Sequence, residues 1–187
     1  APLTATTSAG VPVIWDLSKG QQPSFICGVG IFLAFVAIFT VSRGQPNDGP
    51  SVSTSAILEA LLAGIGFGLF FCVLSETNTE SAPWPIVAGR TSAAVVLLAS
   101  AAVRKVSIKP TGNWLPLLGC SICDTGANVA FLFALRYGQL GPVAVLASLY
   151  PAVTVLLARF ALGEHLDRRR VTGLLVTLVA ITLVAWG

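Results

Sequence analysis

Four ionisable side chains, Glu59, Arg90, Asp124 and Arg159, interrupt long apolar runs of this chain. A charge at the centre of a bilayer costs roughly 2.5–3.5 kcal/mol on insertion scales. Such a group must therefore face other helices or a water-filled cavity. Cys120, Asp124 and Asn128 are spaced i, i+4, i+8 and form one helix stripe that Phe131 continues. That stripe can bind a polar substrate or carry a proton; it can equally clamp two helices by hydrogen bonds. Arg90 sits roughly 10 Å inside its run, entering from the opposite side, so its depth differs from that of Asp124 by about 6 Å. An arginine spans that difference, and the two are expected to pair or share a cavity; the competing reading is an Arg90 that reaches back to the interface. Glu59 lies about 8 Å in from the other side. In a wet cavity it could hold a proton, and otherwise it is an interfacial carboxylate. Arg159 is close enough to the end of its run to anchor the interface.

Backbone chemistry adds a second group. In ASLYPAVTVLL, Pro151 removes an amide donor and strands the carbonyl of Ala147. In lipid that carbonyl needs protein or water, so a kink there is expected to face inward, flanked by the hydroxyls of Ser148 and Tyr150. The candidate substrate-binding set is Arg90, Asp124, Asn128, Ser148, Tyr150 and Pro151. Glu59 and Asp124 are candidates for proton coupling. Ala60, Gly64 and Gly68 in the AGIGFG region follow the small-xxx-small spacing of close helix contacts. A phosphate loop is excluded there, because no strand precedes the glycines and no lysine follows. Cys27, Cys72, Cys120 and Cys123 read as small packing residues. CSIC lacks a second cysteine pair, and the single histidine, His165, lies in a loop, so no metal or other cofactor is expected. No His-Glu-x-x-His pair or ATP-binding motif is present, which argues against an enzyme or a nucleotide-driven pump.

The elements that carry these residues are apolar blocks near residues 24–42, 54–74, 84–103, 115–136, 141–162 and 170–186, each close to spanning length. Residues 1–15 read as the tail of a further helix, followed by a polar turn, DLSKGQQPS. Of the 187 residues, 55% are hydrophobic and 10% charged, against about 25% charged in soluble domains. The blocks lack both the polar stripe of a soluble helix and the alternation of a membrane barrel. The fold class is an all-α integral membrane protein, a polytopic helical bundle. The net charge of +3 comes from loop residues and implies no nucleic-acid partner.

FVAIFTVSRG at 35–44 and LVAITLVAWG at 178–187 share five of ten positions. The echo suggests two copies of one unit: 1–44 is the end of a first five-helix repeat, and 45–187 is a complete second repeat. Five spans per copy invert consecutive copies across the membrane, an arrangement found in secondary transporters. The absence of methionine suggests a truncated chain. The remainder of a pathway is then expected from a missing N-terminal repeat or from a second copy of the chain. Arg43, Arg104, Lys105, Lys109 and Arg168 to Arg170 share one side, which the positive-inside rule places in the cytoplasm.

GPVAVLASLYPAVTVLLARFALGEHLDRRRVTGLLVTLVAITLVA resembles the last two helices of the EamA-like drug/metabolite transporter superfamily, through Ser148, Leu149, Pro151, Gly163, Glu164 and Gly173. LLAGIGFGLFFCVL, WPIVAGRTSAAVVLL and DTGANVAFLFALRYGQL look like the first three helices of the same unit. The resemblance implies ten helices in two inverted five-helix repeats, and export of small metabolites by alternating access in the cell (inner) membrane. It supplies no catalytic set. It also implies cytoplasmic termini, opposite to the reading from loop charge. The alternative from another class is a non-transporting membrane subunit whose buried polar residues only lock helices together.

Overall fold

A computed structural model of the chain describes residues 2–42, 53–77, 81, 83–106, 114–163 and 167–187. The expectations for Arg43, Lys109, Glu164 and His165 lie outside the described residues. These residues form eight helices: α1 Pro2–Ser18, α2 Phe25–Ser42, α3 Thr54–Ser75, α4 Trp84–Val103, α5 Leu115–Ala134, α6 Leu140–Ala147, α7 Tyr150–Leu162 and α8 Arg168–Trp186. Five segments are long and apolar enough to cross a membrane: Thr54–Ser75, Trp84–Val103, Leu115–Ala134, Leu140–Ala161 and Arg168–Trp186; Phe25–Val41 is a shorter apolar helix. The protein is a multi-pass, all-helical integral membrane protein, as its composition requires. It divides into two compact units, Ala1–Val73 with Gly138–Gly187, and Leu74–Tyr137.

In the first unit the tightest helix pair is α2 with α8. The buried face of α8 is Gly173, Thr177, Ala180 and Val184. On α2, Gly30, Ala34, Ala37 and Val41 are buried. Each α8 residue lies 143 positions after its α2 counterpart, the same shift that relates the two echoing decapeptides. The contacts are exchanged in the same way. A Cβ on Gly30 would fall 2.8 Å from both the amide nitrogen and Cγ2 of Val184; one on Gly173 would fall 2.5 Å from Cγ2 of Val41. Gly187 likewise abuts Cys27. The helices therefore run antiparallel, with glycine against valine at both ends and three alanines and Thr177 between. Spacings of four, three and four keep one face together over nearly the whole length. α3 rests on α1 through Gly64, against Thr4 and Thr7, and Gly68, against Val11, whereas Gly66 has open space around it. Two of the four cysteines, Cys27 and Cys72, are buried; Cys120 and Cys123 are exposed on α5, so the packing role expected of all four holds for two.

Two local expectations are corrected. Helix α1 runs through Asp16, Leu17 and Ser18, which read as turn residues in the sequence. It ends one turn later in a Schellman arrangement: Gly20, at φ +77, donates to Leu17 O at 3.1 Å, and Gln21 N donates to Asp16 O at 3.0 Å. The span containing Pro151 is not kinked within a continuous helix but divided. α6 stops at Ala147, α7 restarts at Tyr150, and Pro151 occupies the first turn of α7, where no amide donor is needed. Asp167 caps α8 as expected, its Oδ1 accepting from Arg168 N at 2.7 Å.

Candidate functional site: membrane-embedded polar groups

In the second unit, α4 and α5 carry the polar stripe. Arg90 is the seventh residue of α4 and Asp124 the tenth of α5, so both lie well inside their spans. Arg90 Nη2 forms an ion pair with Asp124 Oδ2. The side chains remain 46% and 58% exposed, so the pair is half uncovered by the described protein. Asn128, one turn on, donates from Nδ2 to the carbonyl of Asp124 at 2.8 Å. That bond turns the amide back along the helix toward the preceding turn. Cys120, one turn before Asp124, is exposed on the same stripe. The arrangement offers a carboxylate, a guanidinium and an amide at span depth. It can bind a polar or zwitterionic group.

In the first unit the polar groups are differently placed. Ser148 is buried at the break between α6 and α7, and its hydroxyl lies 3.3 Å from that of Ser8 on α1, in hydrogen-bond contact. Pro151 is buried beside it, while Tyr150 is 47% exposed. Glu59 is exposed near the start of α3, and Arg159 lies in the last turn of α7.

A buried carboxylate that the sequence reading passed over stands here too. Asp16 is 5% exposed, and its Oδ2 accepts a 2.6 Å hydrogen bond from Gly141 N, at the second residue of α6. Helix N-termini leave amides without intrahelical partners, and Asp16 supplies one from a neighbouring helix. The negative charge also opposes the positive end of the α6 dipole. Gly141 suits this close approach, since a Cβ there would lie 3.1 Å from Asp16 Oδ2 and 3.3 Å from Val13 Cα. With Ser8 on Ser148 and Asp16 on Gly141, α1 and α6 run antiparallel and are tied at both ends. The signal was available: Ser8, Pro12 and Asp16 are spaced by four, as are Cys120, Asp124 and Asn128. Asp16→Ala is expected to destabilise the protein by about 1.5–3 kcal/mol, the range for a hydrogen bond to a charged group. Asp16→Asn keeps an acceptor and is expected to lose less than half of that. Thermal unfolding in detergent, read by tryptophan fluorescence, checks both.

Apolar helices of spanning length, one of them broken and two of them joined by an ion pair at depth, define a polytopic helical membrane protein. The EamA-like transporter family model matches residues 54–186, well over half of the chain. The chain belongs to the EamA-like transporter family, and is thus a membrane transporter of the drug/metabolite type. Comparisons with curated proteins and with solved structures find no match.

Proposed function

We propose that the protein is a secondary carrier that exports a small polar or amphipathic metabolite from the cell, across the inner membrane where there are two, by alternating access between two inverted repeats. Residues 1–44 would belong to the first repeat and 45–187 to the second. The observation that carries the reading is the half-uncovered Arg90–Asp124 pair. Facing lipid, such a pair would meet the full penalty of intramembrane charge, so a wet passage or further protein must lie against it. Arg90, Asp124 and Asn128 would hold the substrate's polar groups; Ser148, Tyr150 and the Pro151 break are the candidate substrate-contacting groups of the first unit. Asp124, or Glu59 nearer the interface, would carry a coupling proton. The exchanged glycine–valine contacts of α2 and α8 support the repeat assignment, because an inverted pair brings equivalent residues into reciprocal contact. For Ser148 the helix-clamp reading has its own support, the buried bond to Ser8.

The test is aqueous access. Native Cys120, and cysteines placed at 124, 128 and 148 in a background with the other native cysteines replaced by serine, are treated in intact cells and inverted vesicles. The reagent is a membrane-impermeant maleimide. Labelling at 120, 124 and 128 from at least one side is expected. Uniform protection of all four positions would overturn the carrier reading in favour of helix clamping.

A further inference from the structure

An open groove of about 640 Å³ lies between α1, α2 and α8, lined by Thr6, Phe35, Val36, Phe39, Thr40 and Arg169. We propose that it binds one anionic phospholipid, with the phosphate at Arg169 and an acyl chain along Phe39, Val36 and Phe35; the Thr40 hydroxyl is already donated to Val36 O at 2.7 Å. The volume is within the ~300–1,000 Å³ of ordinary ligand sites. The order of the lining is that of a lipid. α2 ends at Ser42 and α8 begins at Arg168 on the same side, since Val41 packs against Gly173. Thr40 and Arg169 therefore stand at the interface, and Phe35 lies about 8 Å deeper at 1.5 Å per residue.

Charge complementarity selects the headgroup. Arg168, Arg169 and Arg170 open α8 against a single capping carboxylate, Asp167, giving a net charge of +2 over these four residues. Among the described residues the Arg169 side chain makes no hydrogen bond or ion pair, while Phe39 and Val36 are 44% and 40% exposed along the groove wall. The positive end of the α8 dipole adds to the same field. Basic pockets between transmembrane helices recognise anionic headgroups in this way. A soluble phosphate would use the arginine but has nothing to place on the aromatic wall. A zwitterionic lipid would fill the wall but gain little from the arginine.

The test uses the full chain in detergent, titrated with phosphatidylglycerol, phosphatidylcholine or glycerol phosphate and followed by thermal shift and native mass spectrometry. Phosphatidylglycerol is expected to bind and raise the melting temperature, with little effect from the other two. Arg169→Gln is expected to weaken phosphatidylglycerol binding about five-fold. Val36→Trp, which fills the groove without altering charge, should remove the shift. Arg104→Gln, a charge change in the other unit, should leave it intact, and melting in phosphatidylcholine shows whether each variant is folded. Equal shifts with both lipids, an equal effect of glycerol phosphate, or equal weakening by Arg104→Gln and Arg169→Gln would each overturn the proposal.

Discussion

Gly30→Val and Gly173→Val are each expected to lower the melting temperature by about 5 °C or more, and together to abolish a monodisperse folded protein. Overpacking a filled interface costs typically about 1–3 kcal/mol per site, more where backbone must move. For a chain of this length about 1 kcal/mol corresponds to roughly 2–4 °C. At Gly30 the obstructing atoms include the Val184 amide nitrogen at 2.8 Å, which no rotamer change can withdraw. At Gly173 the nearest atom is Val41 Cγ2 at 2.5 Å, with the Val41 nitrogen at 3.1 Å. This difference gives a sharper expectation. Val41→Ala should rescue much of Gly173→Ala, whereas Val184→Ala should rescue little of Gly30→Ala. The two sites are eleven residues apart on their helices, so their effects should add. Gly28→Ala, with nothing within 4 Å of the added carbon, is the control and should be neutral or slightly stabilising. Fluorescence-detected size exclusion and thermal melts read all of these. A wild-type profile for the double valine variant would mean that α2 and α8 do not pack as described.

The second large effect is on transport. Asp124→Asn is expected to slow exchange of whichever small metabolite the full-length wild-type carrier moves in proteoliposomes by about 10–100-fold, the factor matching loss of a charge-assisted interaction. It should remain folded, because the amide still occupies the carboxylate's place beside Arg90 and Asn128. Arg90→Gln should behave alike. The exchanged pair Arg90→Asp with Asp124→Arg separates structure from function: it restores opposite charges across α4 and α5, so folding should recover while transport stays low. If transport recovers with the swap, the pair is a structural clamp. If Asp124→Asn neither slows exchange nor alters melting, the carboxylate has no part in the path.

The spans were legible because their chemistry is one-sided: a run such as AILEALLAGIGFGLFFCVLS, within Thr54–Ser75, is long and apolar enough to cross a lipid bilayer as a helix. The Arg90–Asp124 pairing was legible for a related reason, since depth along a helix follows from counting residues. The course of α1 was less so. Asp16 looks like a turn residue when its only visible context is LSKGQQPS, and its true partner, the Gly141 amide, is 125 positions away. The spacing of Ser8, Pro12 and Asp16 by four marks one helix face that includes Asp16, but a backbone donor carries no side-chain signature, so the partner itself is not announced. The break after Ala147 was half legible. Pro151 flagged the disturbance, but whether a proline bends a helix or divides it depends on whether the segment before it is held elsewhere. Here it is held, by Ser8 and Asp16 on α1.

That holding separates two levers within one span. α6, eight residues long, is bolted to α1 at both ends, while α7, thirteen residues long, begins beyond Ser148 and Leu149 on the far side of the missing proline donor. Swinging α7 about this joint would break fewer ladder bonds than bending an intact helix, and need not drag α6 with it. The α7 half of the span has the anatomy of an oar, and the α6 half that of its rowlock.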